Sequence, residues 1–283
     1  MMYEWKPGER FYISGYLSEN FDRIIKGVMK KNTSAVVLVD GRSGLGKTTL
    51  SFQLSAYIAS EVAKYKTKKY KKEYKPKFSL DDVAWTPDVF IDKLKNATAG
   101  DIVILDEGMI LSNRTAMSEV NRMVVIMMSL IRSKQIFVMI NVNSIFDMDR
   151  NLPLHRADVL LHLYAIDDKF ASRGRYFVVP TSKGKLKRLY ILGKKYYDYS
   201  VAQPAFRDHF SAYFPVDDKV YESRKQKAIA SYFEEKQSPR ALKVMDQRNR
   251  LIRFLRDLEQ PVKEICKKAG ISDQAVYDAL KKW

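Results

Sequence analysis

Along the first 165 residues, short apolar runs alternate with stretches of helical periodicity. Ala35–Val39, Ile102–Leu105, Gln135–Asn143 and Asp158–Tyr164 are apolar on successive positions rather than on alternate ones. Such runs suit strands buried on both faces, as in a parallel sheet covered by helices. Residues 49–58 read as a helix. So do residues 115–133, where Met117, Val120, Val124, Met127 and Ile131 share one core-packing face.

The pattern then changes. Alternating apolar runs at 176–180 and 186–192 flank a Gly-containing turn at 181–185 and predict a β-hairpin over 175–192. Residues 201–240, punctuated by Pro204, Pro215 and Pro239, are expected to form a wrap or linker. From Asp246 helical periodicity returns, with Leu251, Leu255 and Leu258 on one face. Pro261 opens the next helix, with Val262, Ile265, Cys266 and Ala269 inward. Gly270 is placed as a C-cap and Ser272 as an N-cap. Val276, Ala279, Leu280 and Trp283 are the expected buried face of the last helix. The expected organisation is an α/β domain over 1–200 with an N-terminal extension over 1–30. The linker at 201–240 and an all-α module at 241–283 follow, and no internal repeat is visible.

The chemistry is concentrated after the first apolar run. Gly41, Arg42, Ser43, Gly44, Leu45, Gly46, Lys47 and Thr48 spell G-x-x-x-x-G-K-[ST] between a strand and a helix that continues through Thr49. Glycines let backbone N–H groups turn inward around a phosphate, and the helix N-terminus adds its own amides. Lys47 is suited to the β- and γ-phosphates and the Thr48 hydroxyl to Mg²⁺. A second acid is expected at the C-terminal end of a neighbouring strand, and Asp106 follows Ile102–Leu105 there. Asp106 is the candidate metal carboxylate, and Glu107 is placed to polarise an attacking water.

The pair Gly41–Thr48 and Ile102–Glu107 resembles the Walker A and Walker B elements of P-loop ATPases with an additional strand and a catalytic glutamate. The resemblance implies a RecA-like P-loop NTPase core with ATP and Mg²⁺ as cofactors. It also implies a polar "sensor" at the tip of the strand ending near residue 143. Asn143 is the first choice and Asn141 the second, the alternative for each being a simple strand-end turn. In ring-forming relatives an arginine from a neighbouring subunit stabilises transition-state charge, which makes Arg150 and Arg156, with Arg132 behind them, candidates.

Composition adds a partner. The chain of 283 residues carries a net charge of +17, which suits a polyanion such as nucleic acid. The single cysteine, Cys266, permits no intramolecular disulfide. No apolar run of membrane-spanning length occurs, so the expected setting is the cytoplasm, that of the host if the source is viral, with no membrane partner. His155, His162 and His209 are scattered and give no zinc spacing.

Three segments are candidate DNA contacts. The run from Lys64 to Lys77 holds eight lysines interleaved with Tyr65, Tyr70 and Tyr74, and reads either as a nucleic-acid contact or as a solvated helix end. Lys183–Lys185 at the expected hairpin turn read either as a DNA or pore contact or as edge protection. Residues 262–277 resemble a helix-turn-helix, with Gln274, Tyr277, Lys281 and Lys282 facing a groove, or else form a small bundle that packs on a partner.

Element order and size resemble FtsK/HerA-type translocases and related viral packaging or Zot-like ATPases. That resemblance implies a DNA-handling motor of a virus or mobile element, assembled as a homo-oligomeric ring such as a hexamer. The alternatives are a helicase-loader or transposition-accessory ATPase, and a nucleotide-switched DNA-binding regulator.

Overall fold

The computed structural model describes residues 1–106, 131, 133–166, 174–236, 239–258 and 260–281. In chain order the strands are β1 (Met2–Lys6), β2 (Glu9–Tyr12), β3 (Ala35–Asp40), β4 (Val83–Ala84), β5 (Ile102–Leu105), β6 (Phe137–Val142), β7 (Val159–Tyr164), β8 (Arg175–Pro180) and β9 (Phe206–His209). The helices are α1 (Gly15–Lys31), α2 (Lys47–Tyr70), α3 (Pro87–Asn96), α4 (Asn151–His155), α5 (Lys185–Gly193), α6 (Asp218–Lys236), α7 (Pro239–Asp257), α8 (Val262–Ala269) and α9 (Asp273–Lys281). Two compact units result, Met1–Ile229 and Ala230–Trp283.

The first unit is built on a seven-stranded sheet of order β4-β5-β6-β3-β7-β8-β9. Neighbours from β4 through β7 pair in parallel, and β8 and β9 add antiparallel. Every residue of β3, β5 and β6 is buried, as their unbroken apolar runs require. This mostly parallel α/β sheet flanked by helices is compatible with a Rossmann-like or RecA-like core. Helix α2 is buried around most of its first half, where Leu50, Phe52, Leu54, Ile58 and Ala59 pack into the core. Helix α1 buries Leu17, Phe21, Ile25 and Val28 in the same core, and the β1–β2 hairpin adds Trp5 and Phe11. The N-terminal segment expected as an extension is therefore part of the domain.

Two expectations are corrected here. No hairpin forms over 175–192: β8 pairs with β7 and β9, and residues 185–193 are helix α5. Leu186, Leu189, Tyr190 and Gly193 fall at helical spacing and are buried, so the same apolar residues fit a 3.6-residue period better than a two-residue one. The Lys183–Gly184 turn is left-handed at both positions (φ 57° and 68°) and starts the helix. Residues 206–209, expected in a linker, form edge strand β9, whose half-polar sequence Phe-Arg-Asp-His suits a partly solvated edge.

The second unit packs α7, α8 and α9 around Ile252, Ile265, Val276 and Ala279, with Leu255, Val262, Cys266, Ile271 and Leu280 partly buried. Gly270 ends α8 in a left-handed conformation, and the Ser272 hydroxyl accepts the Ala275 amide, as their expected capping roles require. The inward face of α7 differs from expectation. Ile252 is buried and Leu255 partly so, whereas Leu251 and Leu258 are exposed. No helix among the described residues is long and apolar enough to cross a membrane.

Candidate nucleotide-binding site

Parallel pairing brings the C-terminal ends of β3, β5, β6 and β7 to one edge of the sheet. Asp40 of β3 lies opposite Val142 on one side and His162 on the other. The chain leaves β3 at Gly41, whose amide donates to the Asn143 carbonyl at 3.3 Å, and enters α2 at Lys47. Gly46 adopts φ 95°, and a Cβ there would lie 2.9 Å from the Phe210 ring. Glycine is thus required for both conformation and space. The Lys47 side chain is buried. Its ammonium donates to the Gly41 carbonyl at 2.7 Å, the Arg42 carbonyl at 3.3 Å and Asn143 Oδ1 at 2.9 Å. The lysine therefore lies folded over the loop, tied to the tip of β6.

Asp106, at the end of β5, is buried and fully engaged. Its Oδ1 accepts the Thr48 hydroxyl at 3.0 Å and Asn141 Nδ2 at 2.8 Å, and its Oδ2 accepts the Tyr221 hydroxyl at 2.6 Å. Asn141 in turn accepts the Ser51 hydroxyl at 2.5 Å, which fixes α2 against β6. Asn141 and Asn143 lie two residues apart on one strand face and divide the work. Asn141 is buried and holds Asp106, whereas Asn143 is exposed and reaches Lys47. Burial pushes the Tyr221 phenol above its ordinary pKa, and the Asp106 charge adds to the shift.

A cleft of about 780 Å³ opens above these groups. Its phosphate-loop side is Ser43, Gly44, Gly46, Lys47, Thr48 and Thr49, with Asp106 and Asn143. The opposite wall is a strap after β9 that includes Ala212, Phe214, Asp218, Tyr221, Glu222 and Lys225. Gln53 on α2 anchors the strap by donating to the Ser211 carbonyl at 2.8 Å and the Tyr213 carbonyl at 2.6 Å. Phe52, Phe214 and Tyr221 pack ring against ring at 5.0 to 5.6 Å, and Arg224 pairs with Asp81 at 2.6 Å. No single motif marks this strap. Its signal was aromatic density: Phe206, Phe210, Tyr213, Phe214 and Tyr221 are too many large rings for a solvated linker.

Directly before the loop, Asp40 joins a second buried network. Its carboxylate meets His162 Nδ1 at 2.8 Å and the Ile145 amide at 3.1 Å, and it accepts the Tyr199 hydroxyl. Tyr199 stacks on His162 with centroids 3.8 Å apart and meets the Ser144 hydroxyl at 3.0 Å. Burial and the Asp40 charge push the Tyr199 phenol upward. The network clamps the end of β3 to the segment after Asn143, and so fixes the separation between the loop and Asn143.

The remaining expected residues are dispersed. Arg42 and Ser43 are exposed at the loop tip, whereas Leu45 is buried in the core. Arg150 is exposed before α4. Arg156 borders a small cavity with Thr33, Ser34 and Asp158 at the start of β3, at the opposite end of that strand from the phosphate loop. Lys183 is exposed and Lys185 half-buried. Gln274 and Tyr277 are exposed on α9, where Gln274 donates to Asp278 at 2.9 Å. Glu107, Arg132, Lys282, Trp283 and nearly all of the helix expected over 115–133 lie outside the described residues, as does the side chain of Lys281.

The donor set suits a hard cation. Among the described residues no group of three or more His, Cys, Asp or Glu is placed to hold a metal. Thr48 and Asp106 nevertheless present two oxygens 3.0 Å apart beside the phosphate loop. Mg²⁺ bound with a nucleotide takes few protein ligands and fills its shell with phosphate oxygens and water. No protein family, no curated protein and no solved structure matches the chain. The functional reading therefore stands on the motif and its geometry.

Proposed function

We propose that the chain is a Mg²⁺-dependent ATPase with a RecA-like P-loop core that couples nucleotide turnover to DNA handling. The observation that carries this reading is strand order. β6 stands between β3, which leads into the phosphate loop, and β5, which ends in Asp106. In this reading it is the additional strand of the ATPase division that the two motifs resemble, and Asn143 at its end accepts from Lys47.

In this reading Lys47 leaves the loop carbonyls and neutralises the β- and γ-phosphates, while the loop and α2 amides hold their oxygens. Thr48 and Asp106 would hold Mg²⁺, which when bound would supply charge neutralisation on the phosphates. Glu107 directly follows Asp106 and takes a proton from the attacking water. Asn143 orients that water or the γ-phosphate. An arginine supplied by a neighbouring subunit, from Arg150, Arg156 or Arg132, would make turnover depend on assembly into a ring. The α8–turn–α9 unit is read as a helix-turn-helix presenting Gln274 and Tyr277, and a viral or mobile-element DNA motor in the cytoplasm is the role that fits these parts together.

A second reading, a nucleotide-operated switch or loader, is favoured by one observation. Asp106 is engaged by Tyr221, on a helix that leads in sequence into the C-terminal unit. Steady-state ATP hydrolysis with and without DNA separates the two. Strong stimulation supports the motor, and tight nucleotide binding with very slow, DNA-independent turnover supports the switch. Glu107→Gln should retain ATP and block hydrolysis; normal hydrolysis by that variant removes Glu107 as the base.

A further inference from the structure

A second groove, of about 510 Å³, lies along α2 on its C-terminal half. Tyr3 and Trp5 of β1 form one side, and Tyr74 and Pro76 form the other, with Lys64 and Lys68 also lining it. Tyr74 is held in place rather than free. The helix stops at Tyr70, Lys71 turns left-handed (φ 51°), and the Tyr74 amide donates to the Thr67 hydroxyl at 3.0 Å. The chain thereby folds back beside the last turns of α2. Tyr70 packs on Tyr74 with centroids 6.0 Å apart, and Tyr74 stays 37 % exposed.

The charge around the groove is one-sided. Lys64 pairs with Glu61 at 2.6 Å and Lys77 with Asp101 at 3.6 Å, but Lys68, Lys71, Lys72 and Lys75 make no ion pair among the described residues. Glu4 also lines the groove, and its carboxylate is turned to Arg10 at 3.6 Å and the Gly8 amide at 3.2 Å. Aromatic faces beside unpaired lysines are the parts of a site that stacks unpaired bases and tracks their phosphates. A duplex keeps its bases stacked and offers such a groove only phosphates.

We propose that this groove binds single-stranded nucleic acid, a base stacking on the exposed Tyr74 beside the partly buried Tyr3 while Lys68 and its neighbours take the backbone. The proposal deepens the DNA-handling reading, since it assigns a strand type and a place of contact. It does not depend on nucleotide hydrolysis.

The test is fluorescence anisotropy of the full chain with labelled oligodeoxythymidylate, oligouridylate and a duplex of equal length, across a salt series. Single strands should bind more tightly than duplex. Tyr74→Ala should weaken single-strand binding about tenfold and leave duplex binding unchanged. Lys68→Ala should lower the salt slope by about one. The deoxy and ribo arms show which single strand is preferred. Equal binding of duplex and single strand with no effect of Tyr74→Ala would overturn the groove and leave the DNA-handling reading intact. Failure of all three probes, with hydrolysis intact, would overturn both. Equal binding to vesicles of anionic lipid would overturn the groove as a base-reading site.

Discussion

Tyr221 donates its phenol hydrogen to Asp106 across 2.6 Å, so a residue from the C-terminal strap occupies the carboxylate that the motif assigns to the metal. Both groups are buried, and Lys225 donates to the same phenol oxygen at 3.2 Å. A cation at Thr48 and Asp106 must therefore compete with a hydrogen bond to a charged acceptor, of the kind worth roughly 1.5–3 kcal/mol. Tyr221→Phe removes the competitor and keeps the ring packing. The Mg²⁺ concentration for half-maximal hydrolysis should fall about tenfold, the equivalent of about 1.4 kcal/mol. Magnesium titration of the hydrolysis rate checks this, and an unchanged midpoint would show that Tyr221 does not compete with the metal.

Asn143, beyond the two motifs, accepts a hydrogen bond from Lys47 at 2.9 Å. Asn143→Ala should lower the maximal hydrolysis rate by roughly a hundredfold, as loss of one aimed polar group does in other sites. ATP affinity should stay within a few-fold. Asn141→Ala should act differently. It leaves the buried Asp106 short of a donor and the Ser51 hydroxyl unpaired, which should destabilise the fold by roughly 2–3 kcal/mol in denaturant melts.

The buried tyrosines give the first unit an alkaline limit. Burial, with carboxylate partners Asp40 and Asp106, raises the Tyr199 and Tyr221 phenols above the ordinary value of 10.0. In the unfolded chain these phenols ionise near that value, while in the folded chain they keep their protons. Above it the unfolded state binds fewer protons than the native state, so stability falls as pH rises. The contribution is complete below about pH 10 and is lost as pH climbs toward the folded values. Urea melts at rising pH should show the decline, and the Tyr199→Phe, Tyr221→Phe double variant should lessen it, the remainder coming from the raised phenols of Tyr57, Tyr176 and Tyr213.

The C-terminal unit tests which face of α7 is inward. Ile252→Ala should destabilise that unit by about 2–4 kcal/mol, as large-to-small core changes do. Leu251→Ala and Leu258→Ala, at exposed positions, should stay within about 0.5 kcal/mol. Thermal melts followed by circular dichroism distinguish them.

How much of this was legible in the sequence depended on whether the cause was local. β3, β5, β6 and β7 are legible because β3, β5 and β6 are buried along their length and β7 over most of it, which leaves largely apolar runs. The phosphate loop and Asp106 were visible because their chemistry fixes residue types at fixed spacing. β9 was not, since an edge strand needs only alternate apolar residues, and its pairing with β8 is tertiary. Helix α5 resembles a strand in sequence because an apolar cluster this short, Leu186 with Leu189–Leu192, does not separate the two periods. The contact of Tyr221 with Asp106 spans 115 residues of sequence and leaves no local mark. The inward face of α7 keeps Leu255 but takes Ile252 in place of Leu251 and leaves Leu258 outside, a change that adjacent apolar residues make easy to miss.

If Lys47, Thr48 and Asp106 form a working ATP site, hydrolysis must depend on each of them. Steady-state ATP hydrolysis by the wild-type chain and by Lys47→Ala, with and without Mg²⁺ and single-stranded DNA, tests it most directly. Turnover should require Mg²⁺, rise with DNA and be abolished by Lys47→Ala. Turnover that survives Lys47→Ala, or that proceeds equally well without Mg²⁺, would contradict it.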